Sequence, residues 1–130
     1  MKTESIESVH RLAPLQQGML FHSLYAPDSG IYVQQLVCRL HHELDVAAFE
    51  RAWQQVIARH EVFRTSFRWE GLDYPVQEVH RHVGVSLNVV DRASLSPAEQ
   101  TAELDRFLDD DRRRGFSFRR RATSTLRPSR

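Results

Sequence analysis

The stretch Leu44–Trp69, LDVAAFERAWQQVIARHEVFRTSFRW, changes its period halfway along. From Asp45 onward Phe49, Ala52, Trp53, Val56 and Ile57 recur at steps of three and four, which stacks them in one stripe along a helix. Asp45 stands just ahead of that stripe, where a short acceptor side chain caps a first turn. The step then drops to two. Phe63, Thr65, Phe67 and Trp69 alternate with Arg64, Ser66 and Arg68, so the spacing predicts a strand over VFRTSFRW with one apolar face. A helix whose stripe carries an indole needs a sheet to cover it, and the stretch therefore decides for a mixed helix-and-sheet fold.

The flanks agree. Gly71–Asp73 suits a turn into a second strand, Tyr74–His80, making a hairpin. Val83, Val85, Leu87 and Val89 alternate again and predict another strand. Ser96, Pro97 and Glu99 form a capping box for a third helix, with Leu104, Phe107 and Leu108 on its apolar edge and fraying expected within DDDRRR. Near the start, Pro14 fits a first helical turn, and Leu15, Met19, Leu20 and Leu24 predict a helix over Leu15–Tyr25, stopped by Pro27 and Gly30. Tyr32–Leu40 mixes β-branched, aromatic and polar residues in a run that suits a strand. The expected class is α/β, in the α+β sense of a mixed and partly antiparallel sheet with at least three helices and about four strands.

With 130 residues and 41% hydrophobic content the chain fits one ordinary domain. No apolar run approaches the roughly 20 residues of a bilayer span, and MKTESIESVHRL lacks the apolar core of a signal peptide, so the expected location is cytoplasmic, with no membrane partner. Cys38 is the only cysteine, which excludes an internal disulfide and a thiolate zinc site and predicts a buried, inert thiol. Net charge is +1, unevenly spread: the segment from Arg112 onward carries +8 and the rest −7.

Candidate chemistry is sparse. HHELD, His41 to Asp45, resembles an imidazole–carboxylate site, but Asp45 is committed to capping and neighbouring strand residues point to opposite faces. The pattern predicts two solvated histidines at a strand end. His80 and His82 could share a strand face at a spacing compatible with metal, yet no cysteine or third histidine joins them. No GxSxG, Walker A or GxGxxG motif occurs.

A resemblance goes further. LAPLQQGMLFHSL, Leu12 to Leu24, resembles the first core motif of nonribosomal peptide synthetase condensation domains, and RHEVFRTSF, Arg59 to Phe67, resembles their second. LDVAAFERAWQQVIARHE between them looks like the family's usual helix. The motif and supporting residues are Pro14, Gln16, Gly18, Arg59, His60 and Arg64, while Gln17 stands where many relatives have Glu. The resemblance covers Val9 to about Phe118. It implies part of the N-terminal lobe of a chloramphenicol-acetyltransferase-like, two-lobed fold, whose lobes meet at a tunnel entered by phosphopantetheine arms of carrier (thiolation) domains. The implied reaction joins an aminoacyl amine to an upstream acyl or peptidyl thioester, with no cofactor bound directly, and the implied partners are carrier domains and the rest of a synthetase. The family signature is HHxxxDG, whose aspartate is salt-bridged to an arginine that maps onto Arg64.

HHELD does not satisfy that signature. Asp45 follows His42 by three positions instead of four, Val46 and Ala47 stand where the signature has Asp and Gly, and the stretch precedes the second core motif. It is a decoy, and no HHxxxDG occurs in the chain. Residues 1–118 read as an N-terminal part of a condensation domain. Residues 119–130, RRRATSTLRPSR, read as a disordered Arg-rich tail outside the family, as if the reading frame were interrupted near Arg119. The expectations are that no catalytic or metal-binding residue is present, that the chain alone is inactive, and that exposed apolar surface favours self-association. Trp53, Phe63 and Phe67 are expected to pack in the core. The alternatives are a non-catalytic docking module that binds carrier proteins, or a basic-tail nucleic-acid binder, although no aromatic interleaves the tail after Phe118.

Overall fold

The computed structural model describes residues 6–27, 29–116 and 125–126. Its elements follow as β1 (Ile6–Arg11), α1 (Pro14–Tyr25), α2 (Val46–Arg59), a 3-10 turn (Glu61–Arg64), β2 (Thr65–Arg68), β3 (Val76–His80), β4 (Ser86–Leu87), α3 (Pro97–Arg114) and β5 (Thr125–Leu126). β1, β3 and β2 make an antiparallel sheet in that order, with Thr65 opposite Val79 and His10 opposite Gln77. β4 and β5 make a separate parallel pair.

All three helices form where their caps sit. Pro14 is the first residue of α1, and Gln16 Oε1 accepts the Ala13 N–H at 2.8 Å, the half of a capping box that an alanine at the N-cap still allows. Asp45 Oδ1 accepts the Ala48 N–H at 2.9 Å and opens α2. The Glu99 carboxylate accepts from both the Ser96 N–H and hydroxyl, completing the box at the start of α3. Fraying within DDDRRR does not occur: α3 runs to Arg114, because three arginines in its last turn favour the negative end of the helix dipole, and Gly115 closes it at φ 58°.

The sheet differs from its sequence signal in three places. The strand over VFRTSFRW begins only at Thr65, since Glu61–Arg64 first turn tightly off the end of α2. Its faces are also reversed in burial, with Arg64 and Ser66 buried while Phe63, Phe67 and Trp69 are half-buried. Arg64 is buried because it hydrogen-bonds backbone that would otherwise be orphaned. Tyr32–Leu40 forms no strand: Tyr32 ends a turn and residues 33–40 join no ladder, because β-propensity without a partner strand does not make a sheet. Cys38 lies in it and is exposed, not buried, for the same reason. Of the Val83–Val89 run only Ser86–Leu87 is strand.

The buried apolar set is small: Leu12, Leu20, Ile57, Val76, Val79 and Val83. Ile57, fully enclosed, anchors α2. Beside it Phe49, Trp53 and Phe63 follow one another edge to face, with centroids 6.4 and 6.2 Å apart, so the expected aromatic cluster exists but is only half-buried. Leu15, Phe21, Tyr25, Leu36 and Val62 are exposed. Each would stabilise by about 1.5–3 kcal/mol if covered. α3 is tied to the 30–35 loop by Gln35, whose Nε2 donates to the Leu108 carbonyl at 2.9 Å and to Asp111 at 3.1 Å, and whose Oε1 accepts from Arg112 at 3.3 Å. Gly30, at φ 62°, permits this approach, since a Cβ there would sit 2.7 Å from Arg112 Cγ.

Candidate functional site

Arg64 is the centre of the buried polar chemistry. α2 ends at Arg59, so the Ile57 carbonyl has no helical N–H partner, and Arg64 Nε donates to it at 3.2 Å. Nη1 of the same guanidinium donates to the His80 carbonyl and, at 2.5 Å, to Glu7 Oε2. Glu7 reaches this point because β1 carries an irregularity between Ile6 and Ser8. The Arg64 hydrogen bond holds the Glu7 carboxyl below its ordinary value of 4.5, helped by attraction to Arg64, Arg81 and His82 and opposed by partial desolvation. One arginine thus ties β1, the end of α2 and the end of β3 together.

On the same face Ser66 Oγ and His80 Nε2 lie 2.7 Å apart, both residues buried, and His80 Nδ1 has no hydrogen-bond partner among the described residues. The opposite face of the sheet lines a half-open groove of about 380 Å³, with Thr65, Phe67, Gln77 and Val79 as its floor and Gln16 and Glu61 at its margin. Gln16 Nε2 approaches Gln77 Oε1 at 3.4 Å. The groove's lining also includes His10 and Val62; the Thr65 hydroxyl donates to the Glu61 carbonyl at 2.9 Å, and His10 Nε2 lies 2.9 Å from Ser8 Oγ.

Of the residues singled out by sequence, Pro14 and Gln16 build the start of α1, and Gly18 is exposed with open space beside it. Arg59 and His60 close α2, both exposed, with the His60 ring against Phe63 at 6.4 Å. Arg64 alone joins a buried cluster. His41 and His42 are exposed in a bend, not at a strand end, because the preceding segment has no ladder. His80 and His82 do not share a face in the metal-binding sense: one is buried against Ser66 and the other exposed. Among the described residues no three His, Cys, Asp or Glu side chains come together to hold a metal. The Arg-rich segment behind the nucleic-acid reading, Thr125–Leu126 apart, lies outside the described residues. Sequence spacing missed Glu7, which is 57 positions from Arg64 and carries no local signal.

An antiparallel hairpin flanked by capped helices is cross-braced by a buried arginine. The condensation domain family model matches residues 6–124, six residues past Phe118. The chain belongs to that family. It is 50% identical over 117 residues to one of the proteins that make up the linear gramicidin synthase of Brevibacillus parabrevis, covering 90% of this chain and 2% of that protein. Against surfactin synthase subunit 3 of Bacillus subtilis (strain 168) it is 30% identical over 117 residues, 90% of this chain and 9% of the relative. The fold is similar to that of a condensation domain from the monacolin K polyketide synthase MokA, at TM-score 0.62 and 20% identity, over 96% of this chain and 27% of that one. The chain therefore spans a small part of the synthetases it matches and about a quarter of a solved condensation-domain chain. No helix among the described residues is long and apolar enough to cross a membrane.

Proposed function

We propose that this chain supplies part of the first lobe of a condensation domain, in which the amine of a carrier-bound aminoacyl group attacks an upstream acyl or peptidyl thioester. The C–N bond forms as the C–S bond breaks, and the released phosphopantetheine thiol takes up a proton. The chain contributes scaffold, not the reacting groups. What supports this is the Arg64 node: an arginine placed by the second core motif, buried, and already satisfied by two carbonyls and Glu7 without an HHxxxDG aspartate in the chain. A carrier-binding role without chemistry is the second reading, favoured by the absence of that motif.

The test mixes donor-loaded and acceptor-loaded carrier proteins and follows amide product by mass spectrometry. It compares the 130-residue chain with a chimera in which these residues replace the matching 117 of a condensation domain of linear gramicidin synthase. Product is expected from the chimera and none from the chain alone. A folded chimera that forms no product would overturn the proposal. Carrier binding by the lone chain, read by titration calorimetry, would support the second reading.

A further inference from the structure

We draw no further inference here: the strongest candidate, the buried Ser66–His80 pair beside Arg64 on the three-stranded sheet, with His80 Nδ1 unpartnered among the described residues, belongs to the Arg64 site already described, and nothing in the structure shows what meets that nitrogen.

Discussion

Replacing Arg64 by methionine should cost this protein more than any single polar change within the three-stranded sheet that it braces. The guanidinium serves two buried carbonyls, Ile57 and His80, and a half-exposed carboxylate, Glu7. Methionine refills most of the volume with a flexible apolar chain but donates to none of them. Each orphaned buried acceptor costs about 1–3 kcal/mol, so the two together place the loss at about 3 kcal/mol after some relaxation. The end of α2 also loses a cation beside its last carbonyls. With so small an apolar core that loss is a large share of the stability of an ordinary domain, about 5–15 kcal/mol. In urea, followed through Trp53 and Trp69 fluorescence, the midpoint should fall by roughly 1–2 M. Arg64→Lys keeps the charge but cannot fork between acceptors, so its midpoint should lie between the parent and methionine variants, and it provides the measurement if Arg64→Met does not fold. A methionine variant whose midpoint stays within about 0.2 M of the parent would refute the assignment of Arg64 as the brace.

Two further outcomes follow from the electrostatics and from the decoy motif. The carboxyls of Glu7 and Glu99 lie below 4.5, the first through its hydrogen bond from Arg64 and the second through hydrogen bonds from the Ser96 hydroxyl and N–H. Folded-state values below the unfolded ones give a contribution that is complete above pH 4.5 and is lost as pH falls through the lowered values, so the thermal midpoint should drop on that acid limb. A Glu7→Gln, Glu99→Gln double variant should show a shallower limb, and an identical one would contradict the pairing. His41 and His42 are exposed and bond no described residue, so His41→Ala and His42→Ala should each change stability by less than about 0.5 kcal/mol and leave amide formation by the chimera intact. A tenfold loss of product in His42→Ala would show that HHELD takes part in the chemistry.

What the sequence made legible was whatever is decided within a few residues. Asp45, Ser96 with Glu99, and Pro14 announced the helices because capping is a local matter between a side chain and the next turn. The hairpin was readable for the same reason. β1 was not, since IESVHR places polar residues on both faces and becomes a strand only because β3 lies beside it. Tyr32–Leu40 is the converse, a sound strand signal without the neighbour that would satisfy it. The burial of Arg64 and Ser66 inverted the alternation at VFRTSFRW because periodicity ranks side chains by polarity, whereas the fold ranks them by whether a partner waits inside. The family motifs pointed to Arg64 but not to Glu7, the partner that this chain itself provides.

The Gln35 latch carries a consequence for which sequences this position tolerates. Its amide is read at both ends: the nitrogen by a helix carbonyl and an aspartate, the oxygen by an arginine. Leucine matches its size and speaks to neither end. Glutamate, one atom different, would set a second negative charge against Asp111 and lose the bond to the Leu108 carbonyl while keeping its attraction to Arg112. A change of one letter, or the slow chemical ageing of the amide to an acid, would therefore free the end of α3 from the loop without altering the bulk of any residue.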